Sequence, residues 1–280
     1  MSPAVAFVTG ANQGLGLSLV RALCRQLGED GVVYLSARDE ERGREAVEGL
    51  RAEGLNPVFH QLDVRDTDQV NAAARLLRGR HGGVDIVLSN AALRRSPGIS
   101  DADTVRAFVD TNNRGAHRMI SAFSTVLRDG GRFVVVASVF GRLRYLREDL
   151  RPRFEQARSL ADLEAVLDQW VSLVEAGQDK QAGWPDSINV PSKIAQVAAI
   201  RLAARQYQQE ARRRGVLINA ACPGLVDTEA SRPWFADMST AQSPDDAAAD
   251  VAWLATLPAG TTEPYGELVQ HRVVLPFTAP

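Results

Sequence analysis

The chain has 280 residues, a formal net charge of −2 and 45% hydrophobic residues, enough for one large domain with a sizeable apolar core. The near-balanced charge leaves no basic footprint for nucleic acid or a membrane surface, and no apolar stretch is long enough to span a bilayer. The opening "MSPAVAFVTG" has no basic leader, and Cys24 and Cys222 both lie in apolar runs; these features predict buried free thiols in a reducing, cytoplasmic setting.

Apolar bursts rich in Val and Ile alternate with helical-period stretches along the chain. "VAFVTG" precedes a helix through "GLSLVRALCRQL", then come "VVYLSAR" and the helix "EERGREAVEGLRAEG". "PVFHQLDV", the helix "DQVNAAARLLRGRHG" and "VDIVLSNAA" follow, then a long helix over about 102–128 and the strand "GRFVVVASV". Near the end stand a helix "SKIAQVAAIRLAARQYQQEARRR" and the strand "GVLINAACPG". The basic cluster "ARRRG" at 211–215 reads as the end of that helix, where cations suit the dipole. Near-continuous apolar strands between helices predict a parallel sheet covered on both faces. With right-handed crossovers this is a single-domain, doubly wound α/β fold. Residues 142–184 break the alternation. They are charged, with apolar residues at helical spacing from Leu160 to Val174, and predict two short helices laid over the domain.

"TGANQGLG", Thr9 to Gly16, closes the first strand and opens the first helix. Gly10 suits the tight turn, Gly14 close approach of backbone amides to a pyrophosphate, and Gly16 close helix packing. Asn12, Gln13 and Leu15 complete the turn, and phosphate charge would meet the helix N-terminus. With "SARDEERG", "GLNPVFHQLDV", "GWPDS…SK" and "NAACPGLVDT", this turn resembles the short-chain dehydrogenase/reductase family, in its carbonyl-reductase branch, over nearly the whole chain.

That resemblance implies a Rossmann fold, NADP(H), a small-molecule substrate, no metal and, because the 142–184 insertion would cover the helix surface other members use for tetramers, a monomer. Arg38 would take the 2′-phosphate as a guanidinium fork. The basic residue that many NADP-preferring members carry before the middle glycine is Gln13 here. Asp63 and Val64 would meet the adenine, Asn90 and Ala91 the adjacent ribose, and Pro223, Gly224, Val226 and Thr228 the nicotinamide amide. Trp234 and Phe235 either line the substrate pocket or cap the core.

Family members reduce ketones with an Asn–Ser–Tyr–Lys set. The serine orients the substrate oxygen, the tyrosine donates the proton, the lysine binds the ribose and tunes the tyrosine, and the asparagine holds a relay water. Here Asn112, Ser138 and Lys193 match, but Asn189 stands where the tyrosine belongs. An amide gives or takes no proton near neutral pH, and loss of a general acid costs ~10²–10⁴-fold in rate. Tyr207 lies about four turns along the Lys193 helix, too far by helical rise. His117 is expected to pack or be solvated, and Tyr145 stays open because the path of the insertion is not set by the sequence. Three readings stand. The substrate needs no enzyme-supplied proton, as with an iminium or a conjugated C=C. Alternatively the nucleotide pocket serves a nonredox step or binding alone. Or Asn189 is an introduced substitution, against which Ile188 and Pro191 argue as signs of natural divergence. Pro191 also predicts an extended Val190 and a helix starting at or after residue 191.

Overall fold

The computed structural model describes residues 3–278. Its sheet has eight strands: β1 Val5–Val8, β2 Val32–Ala37, β3 Val58–Gln61, β4 Val84–Ser89, β5 Leu127–Val136, β6 Leu217–Ala221, β7 Leu268–Gln270 and β8 Val273–Leu275. Their order is β3-β2-β1-β4-β5-β6-β7-β8, parallel throughout except the last pair, a hairpin that places β8 antiparallel at the edge. The order reverses between β1 and β4, so both strands deliver their carboxyl ends to one crevice.

Alternate residues of each strand face opposite layers. Ala6, Val8, Leu35 and Leu88 pack under α1 (Gly14–Leu27), α2 (Glu40–Ala52) and α9 (Pro244–Ala255). Val5, Phe7, Val87 and Phe133 pack under α3 (Thr67–His81), α4 (Asp101–Val109), α5 (Gly115–Phe123) and α8 (Asn189–Arg214). The doubly wound parallel sheet read from the sequence is therefore the observed one. Among the described residues no helix is long and apolar enough to cross a membrane.

Several expectations are corrected. The long helix ends at Phe123, five residues early, because Val126 belongs to the approach to β5: its carbonyl accepts from Val84 N at 3.0 Å. It is also broken by a π-turn over Asp110–Arg114. The 142–184 insertion holds single-turn 3₁₀ segments, the four-residue α6 (Pro152–Glu155) and one substantial helix, α7 (Leu160–Glu175), rather than two comparable short ones. A Ser159–Asp162 capping box starts α7, and Leu163, Leu167, Trp170, Val171 and Val174 bury its inner stripe. Helix α8 begins at Asn189, and Val190 is helical. Pro191 falls in the first turn, where N–H groups have no intrahelical partner, so its missing donor costs nothing there. Cys222 is buried but Cys24 only half-buried; both are free.

Two ion pairs, Arg106–Glu175 at 2.6 Å and Arg114–Asp168, and a hydrogen bond between His117 Nδ1 and Glu164 at 3.1 Å join α7 to the broken helix beneath it. The α4–α5 surface is thus covered from within the chain. Helix α8 is fixed along its length, by Tyr265 donating to Ala204 O at 2.8 Å and by Arg214 pairing with Asp129 at 2.7 Å. Gly215 in the left-handed conformation closes it, as the basic cluster foretold.

Candidate active site

The turn after β1 is built for close approach. Gly10 and Gly14 have φ of 62° and 53°, a region that favours glycine. A Cβ on Gly16 would lie 2.3 Å from Gly10 O and 2.6 Å from Asn90 Nδ2. The Asn90 amide donates to Thr9 O and Gly10 O at 3.0 Å each, while Thr9 Oγ1 accepts from the backbone of Asn90 and Ala91 at 3.0 Å. The NH2 group of Asn90 therefore holds the turn against β4, while its Oδ1 makes no hydrogen bond among the described residues and is left to accept from a ribose hydroxyl in the cleft that Asn90 and Ala91 line. Helix α1 opens with no side-chain cap and no acidic residue in its first turn, leaving its N–H groups and positive dipole end free for an anion.

A cleft of about 610 Å³ runs from this turn across the carboxyl edge. It brings together Gly10, Asn12, Gln13, Gly14, Leu15, Gly16, Arg38, Asp63, Val64, Asn90, Ala91 and Thr228. At one end stand two guanidinium groups, Arg38 and Arg42. Arg42 Nη2 donates to Gln13 Oε1 at 2.5 Å, so a cation on α2 occupies the corner where the turn itself lacks one. Sequence reasoning missed Arg42, which reads as an ordinary solvated helix arginine; its four-residue spacing from Arg38 was the available signal. The Asp63 carboxyl is held below the usual carboxylate range, chiefly by its hydrogen bonds with Arg65. Pro223, Gly224 and Val226 lie off the cleft wall. Their segment is anchored by Gln242, whose side chain donates to Pro223 O and whose backbone bridges Val226. A shallow cradle of glycines, free helix amides and paired arginines fits a phosphorylated dinucleotide.

The reaction-end residues converge behind the cleft without lining it. Lys193 Nζ donates to Val136 O at 3.1 Å, two residues before Ser138. Burial lowers the lysine pKa to about 8. Ser138 Oγ accepts from Phe140 N at 3.3 Å, which leaves its own proton free to donate. Cys222 lies beside Lys193, with the N–H groups of Gly224 and Val139 at its thiol, and burial raises its pKa.

Asn112 sits in the π-turn, 2% exposed, its side chain accepting from Leu93 N at 2.7 Å and donating to Leu93 O at 3.1 Å. Next to it, Asn113 and Ser192 bond reciprocally at 2.8 Å, and Gln196 Nε2 donates to Asn112 O at 2.7 Å. These buried bonds fasten the first turns of α8 to the π-turn.

Asn189 is one turn before Lys193 on the same face of α8, half-buried. Its backbone N donates to Ser187 Oγ at 3.3 Å, and its side-chain amide makes no hydrogen bond among the described residues. Of the other proton donors considered, His117 packs against Glu164 from α7, and Tyr207 lies fourteen residues beyond Lys193, about 21 Å by helical rise. Tyr145 stacks edge-on against Phe140, ring centroids 5.4 Å apart, close to the loop that carries Ser138. Trp234 and Phe235 are 39% and 44% exposed and so do not cap the core; Arg95 lies 4.6 Å over the Trp234 ring.

A parallel sheet with a glycine turn at its switch point and a serine–lysine pair at the carboxyl edge defines a dinucleotide-binding enzyme scaffold. Residues 4–148 match the profile of the short chain dehydrogenase family. The chain is 34% identical over 275 residues to carbonyl reductase (NADPH) 3 of Mus musculus, covering 96% of this chain and 97% of that protein. It is 33% identical to carbonyl reductase (NADPH) 1 of Bos taurus, covering 98% of each. The fold superposes on salutaridine reductase from Papaver somniferum with a TM-score of 0.81 at 23% identity, covering 95% of this chain and 99% of that one. Menthone neomenthol reductase from Mentha piperita gives 0.78 at 25% identity, covering 96% and 99%. The chain belongs to the short-chain dehydrogenase/reductase family and is an oxidoreductase of it.

Proposed function

We propose that the chain is an NADP(H)-dependent reductase of a small carbonyl-related molecule whose reduction draws no proton from the enzyme. The observation that carries this is Asn189, an uncommitted amide one turn from Lys193 where a proton donor would stand. When bound, the cofactor would supply the hydride. Arg38 and Arg42 would grip its 2′-phosphate, which favours NADP(H) over NAD(H), and the relatives named for NADPH support the same choice.

Around the substrate, Ser138 and Asn189 both offer hydrogen bonds and neither offers a labile proton near neutral pH. Hydride delivered to an iminium yields a neutral amine and needs no acid. Hydride delivered to a conjugated C=C leaves an enolate whose oxygen those two donors stabilise until water protonates it. A ketone gains least from this pair, because its alkoxide needs a proton as it forms. We further infer a cytoplasmic monomer, supported by the two free cysteines and by α7 covering the α4–α5 surface.

The test compares the parent with Asn189→Tyr for NADPH oxidation on ketones, iminium compounds and enones, after both are shown to bind NADPH. The reading expects parent activity on iminium compounds or enones and a gain of ~10²-fold or more on ketones in the variant. If both bind NADPH and neither oxidises it with any substrate, the redox reading falls in favour of nonredox turnover or binding alone.

A further inference from the structure

One turn beyond Lys193, α8 carries a buried amide that hydride transfer does not use. Gln196 is 3% exposed, its Nε2 donates to the Asn112 carbonyl at 2.7 Å, and its Oε1 is buried without a hydrogen-bond partner among the described residues. Burying an amide with half its capacity unused costs free energy that an apolar side chain would avoid. The carbonyl it engages belongs to the π-turn, a break in the regular helix ladder of the kind that gathers at functional sites. Residues three apart on a helix are neighbours, so Gln196 adjoins Lys193 on α8 while its side chain reaches toward that carbonyl.

We propose that Gln196 is a positioning residue that closes the interior path between the Asn112 carbonyl and Lys193, so that no proton reaches the reacting centre from behind the lysine. An amide N–H keeps its proton at neutral pH, whereas a water in the same place passes one on. The proposal rests on the reductase reading and deepens it. Asn189 removes the acid and Gln196 removes its supply, so two separate side chains select the same substrate class, acceptors that need no proton from the protein.

Lys180 and Lys193 are the chain's only lysines, so each amine can be followed by NMR of ¹⁵N-lysine-labelled protein, with exposed Lys180 as internal reference. Gln196→Ala opens room for water, while Gln196→Leu keeps the volume and removes only the hydrogen bond. The Ala variant is expected to raise the Lys193 titration midpoint by about one pH unit or more, and the Leu variant to leave it in place. In the Asn189→Tyr background, adding Gln196→Ala should raise ketone reduction about tenfold or more, and adding Gln196→Leu should not. Should Leu not fold, Gln196→Met serves the same purpose. Equal midpoints in the Ala and Leu variants would overturn the closure. A raised midpoint with no NADPH oxidation in any variant keeps the closure and removes the reductase reading beneath it.

Discussion

Lys193 Nζ donates to the carbonyl oxygen of Val136 at 3.1 Å, and among the described residues no carboxylate lies within ion-pairing distance of it. Its hydrogen-bond partner is a backbone carbonyl, with the Cys222 thiol beside it, and burial outweighs both to lower its pKa to about 8. Because the folded pKa lies below the unfolded one, the penalty is complete below pH 8. Stability then rises with pH as the folded protein sheds a proton that the unfolded chain keeps up to about 10.5. Lys193→Met should therefore stabilise the fold by about 1–3 kcal/mol at neutral pH, the lower part of that range reflecting a side chain only half-buried. Urea denaturation at neutral and at alkaline pH checks it: the gain over the parent should shrink between pH 8 and 10.5.

Arg38 and Arg42 act on the same corner of the cleft. Replacing either with Ala should weaken NADPH about 10- to 100-fold, the worth of a charge-assisted hydrogen bond to phosphate, and leave NADH nearly unchanged. Fluorescence titration at fixed ionic strength measures both. Equal loss for the two nucleotides would assign the arginines to the fold instead of the phosphate.

The Asn90 amide spans Thr9 O and Gly10 O, so its role is to hold the turn in shape. Asn90→Ala leaves two acceptors unpaired at the cleft and should cost about 1–3 kcal/mol of stability. Nucleotide affinity should fall as well, with the loss similar for NADPH and NADH. Calorimetric melting and titration together separate this pattern from that of the arginines.

With α7 bound over α4 and α5, light scattering should return one chain mass, 30.3 kDa, at micromolar concentration. Trp170, 1% exposed at the centre of the α7 stripe, is the position whose loss should loosen this cover. Trp170→Ala should cost about 3–5 kcal/mol. Self-association that appears only in this variant would show that α7 is what keeps copies apart.

The sheet, its helix alternation and the glycine turn were legible in the sequence because each follows a short-range rule: apolar strand runs, the helical period, and glycine at positive φ. Asn112, Ser138 and Lys193 were matched to the family's set by their order along the chain. What stayed hidden depends on bonds between distant segments. The π-turn leaves no mark on the apolar period of the long helix, since one wider turn barely shifts which residues face inward. Gln196 reads as a polar residue on an apolar helix until the Asn112 carbonyl is seen opposite it. Pro191 misled because the rule against helix before proline is weakest in a first turn, and the Asn113–Ser192 pair holds that turn in place.

Helix α8 is bonded to the π-turn at its start, to Tyr265 midway and to Asp129 at its end. A rod fixed at three points gives the lysine little freedom to follow a new ligand. The mouth, by contrast, draws on residues 91–94 and 227–230, which line the cleft, and beside them Arg95 leans on an exposed Trp234. Changes in substrate range can therefore accumulate in those two loops as if in an exchangeable cartridge, while the hydride-transfer geometry beneath stays fixed.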